Sequence, residues 1–140
     1  MSVKKEFNIF GLARRMDLFS IVYVGSPEEA RDMAEVGADV IIAHVGTTIG
    51  GSIGVVEAAM TLEEAAARTQ KIIEAGKTVR DDVIYLSHGG PISKPEDAAY
   101  INEHTDTVGF VGASSLERMA IEGSLTNLTR EFKSIPVKRK

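Results

Sequence analysis

The sequence predicts an α/β protein built from four strand–helix units with parallel strands. Two observations carry that expectation. Four short apolar runs, at residues 18–24, 39–45, 83–88 and 108–112, are rich in Val and Ile and lack polar alternation, the pattern of strands buried on both faces. After each run comes a glycine-containing turn, then a Ser or Thr with a Glu three residues on: Ser26/Glu29, Thr61/Glu64, Ser93/Glu96 and Ser114/Glu117. That spacing is a capping box, in which two side chains satisfy orphan amides at a helix start. Parallel strands joined by helices need right-handed crossovers, and their turns gather on one edge of the sheet, where α/β folds put ligands. Two closures fit: an open doubly wound sheet, or the wall of a (β/α)8 barrel, of which four units form one half.

Ahead of the first strand, residues 4–16 read as a helix, with Phe7, Phe10, Leu12 and Leu18 as packing positions. The stretch is no signal peptide, because Arg14, Arg15 and Asp17 follow its apolar part at once and no small-residue cleavage site is evident. In the first unit the strand ends at Gly25. Pro27 takes the first helical position, where its missing N–H costs nothing. Ala30, Met33, Ala34 and Val36 line one helix face, and Gly37 stops the helix as a C-cap. The second unit has a long loop at residues 46–54 before a helix at 61–75 that buries Leu62, Ala65, Ala66, Ile72 and Ile73. The third turns through Gly89-Gly90-Pro91 into a helix at 95–103. The fourth leads through Gly112-Ala113-Ser114-Ser115 into a helix at 116–134, with Gly123 as a point where it splits. No linker or low-complexity segment interrupts the chain. Residues 1–140 therefore read as one domain: an N-terminal helix at 1–17, four βα units at 18–134, and a basic tail at 135–140.

Composition narrows the function classes. A chain of 140 residues, 44% apolar and 26% charged, is ordinary for a globular domain. Its net charge of -4 argues against non-specific nucleic-acid binding, which needs a basic footprint. The chain has no Cys, which excludes disulfides, Cys-ligated zinc and thiol nucleophiles and suits the cytoplasm, the compartment expected here. No apolar run approaches the roughly 20 residues of a membrane helix, so no membrane partner is expected.

Chemistry is expected in the turns after the strands. Gly89-Gly90 and Gly112-Ala113-Ser114-Ser115 are small enough to let backbone approach a ligand, and helix-start amides attract anions. Those turns read either as phosphate-binding loops or simply as tight βα connections. His44 and His88 stand at strand C-terminal ends, where an imidazole acts as general acid, general base or oxyanion donor, or else caps a loop. His104, near a helix end, reads as solvated. Thr47, Thr48, Gly50, Gly51 and Ser52, with Ile53 and Gly54, form a loop long enough to close over a substrate as a lid. Arg118 is placed to clamp a carboxylate or phosphate, or to pair with Glu117 or Glu122. Asp39 and Asp82 fall at strand starts, the stability edge of a barrel, so no metal site is expected; if the chemistry uses Mg²⁺, its carboxylates come from elsewhere.

Several segments together resemble the phosphoenolpyruvate hydrolase-like family, TIM-barrel signal transduction proteins that form the C-terminal barrel of larger relatives of a tomato mosaic virus resistance protein. They are Met16-Asp17-Leu18-Phe19, Tyr23-Val24, Pro27-Glu28-Glu29-Ala30, Gly37-Ala38-Asp39-Val40-Ile41 with His44, and Gly50-Gly51-Ser52-Ile53-Gly54. His88-Gly89-Gly90-Pro91-Ile92, Pro95-Glu96-Asp97-Ala98 and Gly112-Ala113-Ser114-Ser115-Leu116-Glu117-Arg118 complete the match, which covers residues 12–133. The resemblance implies a (β/α)8 barrel related to phosphoenolpyruvate-using enzymes, with these four units as its C-terminal half. It implies that Gly89, Gly90, Gly112, Ala113 and Ser114 hold phosphate. On that footing His44 and His88 handle protons and Arg118 offsets charge on a small phosphorylated or carboxylate ligand, in a hydrolase or lyase reaction. The alternatives are a non-catalytic metabolite-binding module and an assembly subunit. Because the family's first four units have no counterpart here, the expected partner is a second copy or a complementary half-barrel chain.

Overall fold

In the computed structural model, residues 3–52, 55–57 and 59–134 are described; the basic tail at 135–140 and the loop residues Ile53 and Gly54 lie outside them. The elements run α1 (Val3–Arg15), β1 (Ile21–Val24), α2 (Pro27–Val36), β2 (Val40–His44), α3 (Leu62–Lys77), β3 (Ile84–His88), α4 (Pro95–His104), α5 (Ser114–Glu117) and α6 (Met119–Ser134). The strands form one parallel sheet in the order β1-β2-β3. Register aligns Ile21 with Val40 and Ile84, Tyr23 with Ile42 and Leu86, and His44 with His88. No helix among the described residues is long and apolar enough to cross a membrane.

One face of the sheet meets the helices. Val22, Val24, Ile41, Ala43 and Tyr85 pack there against Ala30, Met33 and Ala34 of α2 and Ile72 and Ile73 of α3. Each large side chain removed from water in this way contributes about 1.5–3 kcal/mol. Val45, Ala65, Ala66, Ile92 and Ile101 extend the layer beneath α4. The other face is open along its outer strands. Ile21 is 54% exposed, Tyr23 49% and Ile84 43%. The central strand β2 is buried on both faces as its composition predicts, with Val40 and Ile42 covered between their neighbours, whereas β1 and β3 are not, because helices cover only one side. Of the expected packing positions in and after α1, Phe10 joins the core while Leu12 and Leu18 stay exposed.

Capping follows the sequence at two helices and departs from it at two. Ser26 accepts from Glu29 N–H at 3.2 Å, while the Glu29 carboxylate reaches one residue further back, to Gly25 N–H. Thr61 and Glu64 form the complete box. Ahead of α4, the carboxylate that accepts is Asp97, from Ser93 and Lys94 N–H, rather than Glu96; the helix starts one residue later than Ser93/Glu96 implies. Ser114/Glu117 makes no box. Ser114 already lies inside α5, whose N-cap Ala113 has no side chain able to accept. The last helical stretch breaks at Arg118 rather than at Gly123. Gly37, left-handed at φ 94°, ends α2 as expected.

The fourth strand is reduced to one bridge, Ser87 with Phe110. Val108 N–H donates to Tyr85 C=O at 2.9 Å and Val111 N–H donates to Ser87 C=O at 2.9 Å. The two acceptors are two residues apart and the two donors three, so this strand carries one surplus residue, a bulge that stops the ladder. Replacing Thr61 by Ala is expected to lower stability by about 1 kcal/mol in urea unfolding, through loss of the cap. Ser114→Ala, where no cap bond exists, is expected to leave it within about 0.5 kcal/mol of wild type.

Candidate functional site

Strand register decides which side chains meet. His44 ends β2 and His88 ends β3, and the two are direct cross-strand partners. Both stand on the open face of the sheet, continuing the rows of Ile21 and Tyr23 and their partners. Their ring centroids are 5.1 Å apart. Tyr23 meets both edge-on, at 5.8 Å from His44 and 5.1 Å from His88. The result is a cluster of three rings at the C-terminal edge of the strands. Tyr23 is the member that sequence reasoning missed. The signal was its odd-numbered place beside Ile21, on the strand face that a barrel turns inward.

The hydrogen bonds of the two imidazoles fix opposite tautomers. His44 Nδ1 accepts from Gly46 N–H at 3.3 Å. A backbone amide only donates, so Nδ1 is bare, and the neutral ring carries its proton on Nε2. His88 Nδ1 lies 2.7 Å from the Val111 carbonyl oxygen. A carbonyl only accepts, so this Nδ1 carries the proton and Nε2 is a lone pair. The pair thus offers one N–H and one base side by side. Burial, first, and then the charge of His88 hold His44 below the ordinary histidine range; Arg68 adds to the effect, and a hydrogen bond with the backbone of His44 itself works against it.

The loops after β2 and β3 are joined by backbone bonds. Val45 N–H donates to His88 C=O at 3.0 Å, Gly90 N–H to Gly46 C=O at 2.7 Å, and Ile49 N–H to Gly90 C=O at 3.2 Å. Gly89 and Gly90 have φ of 82° and 58°, and a Cβ on Gly89 would overlap the Gly46 carbonyl. These glycines are required by that close approach. The expected phosphate donors therefore divide. Gly90 has committed its amide to Gly46, whereas Gly112, Ala113 and Ser114 follow directly after Val111, the residue bonded to His88.

Arg118 does not hydrogen-bond to either histidine. It pairs with Glu122 at 2.6 Å and donates to Gly50 C=O at 3.2 Å. Glu122 also accepts from Ser52 N–H at 2.7 Å, and these bonds hold its carboxyl below the usual range. Gly51, at φ 79°, passes so close to the Arg118 guanidinium that a Cβ would overlap it. The loop of Thr47, Thr48, Gly50, Gly51 and Ser52 is thus tied to the segment Arg118–Glu122, with Thr48 buried and Thr47 exposed. Of the two roles the sequence left open for Arg118, the structure shows the Glu122 pairing.

At the opposite edge of the sheet, Asp39 accepts from Ser20 N–H and Oγ, and Arg80 pairs with Asp82 while donating to Ala38 C=O. Among the described residues no three His, Asp or Glu side chains converge as a metal site.

The chain matches, over residues 1–135, the family described as phosphoenolpyruvate hydrolase-like. Two tomato (Solanum lycopersicum) proteins, the ToMV susceptible protein tm-1(GCR26) and the ToMV resistance protein Tm-1(GCR237), are each 46% identical to it over 131 residues. The aligned stretch is 93% of this chain and 17% of each tomato protein, so the chain spans a small part of these relatives. Among solved structures, the N-acetylmannosamine-6-phosphate 2-epimerase from Clostridium perfringens, a TIM-barrel enzyme, aligns at TM-score 0.53 and 14% identity. It covers 93% of this chain and 48% of that one, and the likeness concerns the fold alone. Of the two closures the residues left open, the chain has the fold of a partial (β/α)8 barrel, as the resemblance implies.

The depressed His44 makes stability depend on pH. Below about pH 6.5, the unfolded chain takes up a proton at this ring before the folded chain does, so stability falls with acidification until the folded value is reached. Above that range the ring contributes nothing. Urea midpoints measured at about pH 7.5 and about pH 5 are expected to differ less in His44→Gln than in wild type. An equal difference would show that the ring is not held in its neutral form.

Proposed function

The chain belongs to the phosphoenolpyruvate hydrolase-like family, and from that premise we propose that it acts on a small phosphorylated carboxylic acid at the C-terminal edge of its strands. The observation that carries this reading is the pair of facing histidines in opposite tautomers. In the proposed hydrolysis, His88 Nε2 takes a proton from water as the water oxygen attacks phosphorus. The bond between phosphorus and the enol oxygen breaks, and that oxygen takes the proton of His44 Nε2. Phosphate and the enol of pyruvate leave, and the enol becomes the keto acid in solution. Solvent then returns the proton from His88 to His44, so the protein ends as it began. Such paired proton transfers typically contribute 10²–10⁴-fold each.

Mg²⁺ is not part of this mechanism. The residues present do not fit it: Asp39 and Asp82 are bonded at the far edge, and the histidine pair has no carboxylate beside it among the described residues. The turn Gly112-Ala113-Ser114 is the proposed phosphate contact, since it begins one residue beyond Val111. The engagement of Gly90 and Arg118 in internal bonds favours a second reading, a non-catalytic phosphate- or metabolite-binding module or an assembly subunit of a split barrel.

We further propose that the open face of the sheet is closed by association with a second copy or a complementary half-barrel chain. Ile21, Tyr23, Ile84 and Val108 leave an apolar strip there, and such strips mark interaction surfaces. The proposed setting is the cytoplasm.

Phosphorus NMR on phosphoenolpyruvate tests the chemistry: wild type is expected to release phosphate, and His88→Ala to do so about 10²–10⁴-fold more slowly. Binding by calorimetry without any phosphate release would replace hydrolysis with the binding reading. Light scattering at several concentrations is expected to give twice the chain mass, and a monomer throughout would remove self-association.

A further inference from the structure

We propose that Arg68 is the cation that receives an oxyanion of the ligand, a carboxylate or a phosphate, at the mouth of the histidine site. The inference deepens the reading above and rests on the histidine pair being the reacting centre. Three neutral rings cannot balance a ligand carrying two or more negative charges, so a cation is needed nearby. Among the described residues, four arginines are hydrogen-bonded to backbone carbonyls. Arg14 reaches Gly37 and Arg80 reaches Ala38, both just before β2 and hence at the N-terminal edge of the sheet. Arg118 holds Gly50 and is neutralised by Glu122. Arg68 is the remaining one, and it is at the right edge.

Arg68 lies in α3 and donates through Nη2 to the carbonyl of Gly25 at 2.8 Å, at the C-terminal end of β1. Helical side chains lean toward the N-terminus of their helix, and in a βα unit that end adjoins the C-terminal edges of the strands. The guanidinium is thereby carried from the outer helix layer to the rim of the site. Its charge is felt at His44, where it opposes protonation. Among the described residues no carboxylate stands within 4.0 Å of it. One donor is spent on Gly25; the others remain in the planar fork that matches a carboxylate or phosphate with two parallel hydrogen bonds. The Gly25 bond fixes the direction of that fork before any ligand arrives, which lowers the ordering cost of binding.

The experiment is a titration of the full chain, monitored on the ¹⁵N signals of the imidazoles and of arginine Nε, with three probes: phosphoenolpyruvate, inorganic phosphate and pyruvate. Arg68→Gln is expected to weaken phosphoenolpyruvate binding about tenfold or more, as loss of a charged bidentate contact does. Arg68→Lys, which keeps the charge and loses the fork, is expected to fall between, and Arg130→Gln, at an exposed position of α6, to bind as wild type. A weakened response to phosphate alone, or to pyruvate alone, identifies which oxyanion Arg68 takes. Unchanged imidazole signals in the free variants show that the fold and the tautomers are intact; if Arg68→Gln alters them, the comparison of Arg68→Lys with wild type decides. Equal affinities across wild type and both Arg68 variants would overturn the assignment, as would a wild type that binds none of the three probes. A wild type that binds through Arg68 but releases no phosphate would overturn hydrolysis and leave the assignment standing.

Discussion

The backbone of Gly46 holds the site together. Its N–H faces His44 Nδ1 and its C=O receives Gly90 N–H, the amide just beyond His88 and Gly89. One end of the residue therefore sets the protonation pattern of the first imidazole, and the other end anchors the turn that carries the second. Gly46 adopts φ 131°, a conformation that a side chain would disfavour. Gly89 and Gly90 are glycines for the same reason seen from the other strand, since their backbones press against the carbonyls of Gly46 and Val45. The two histidines are consequently not independent groups. Whatever moves the Gly46 backbone changes the donor properties of one ring and the position of the other.

Most of the fold was legible because it follows from local chemistry. Val/Ile runs placed β1, β2 and β3, and the Thr61/Glu64 box and the Gly37 stop marked helix ends to within a residue or two. The fourth strand was less legible. Its run of Val108, Gly109, Phe110, Val111 has strand composition, but strand pairing depends on register, which no local pattern encodes. Helix α6 shows the same limit. Ile121, Leu125, Leu128 and Phe132 repeat at a spacing that reads as a buried stripe, yet all four are exposed because nothing among the described residues covers them.

The site was legible in part. The two histidines could be named from their places at strand ends, and their meeting follows from register. Their tautomers could not, since those depend on a 3.3 Å contact and a 2.7 Å contact made by backbone atoms whose sequence neighbours carry no special signature. Arg118 was visible as a cation near a glycine turn, but Glu122, one helical turn on, was the nearer and preorganised acid. Arg68 had no local signal at all. Its meaning comes from a bond spanning 43 residues, which only the packing of α3 beside β1 creates.

A strand is a two-sided counter: each added residue reverses which side the next one faces. The surplus residue in the fourth strand resets that count in mid-stride. Thr107, buried, and Phe110, packed under α4, are an odd number of positions apart and would ordinarily point opposite ways. With the extra residue between them both turn toward the helices, while Val108, 71% exposed, is given to the open side. The same reversal delivers Val111 so that its N–H joins Ser87 while its carbonyl meets His88. Deleting the surplus residue would leave Thr107 and Phe110 two positions apart, the ordinary spacing for one face, and would bring the donors of this strand into step with the acceptors of β3. The carbonyl that meets His88 would stay where it is, while the side chain now given to the open side would lose its place there.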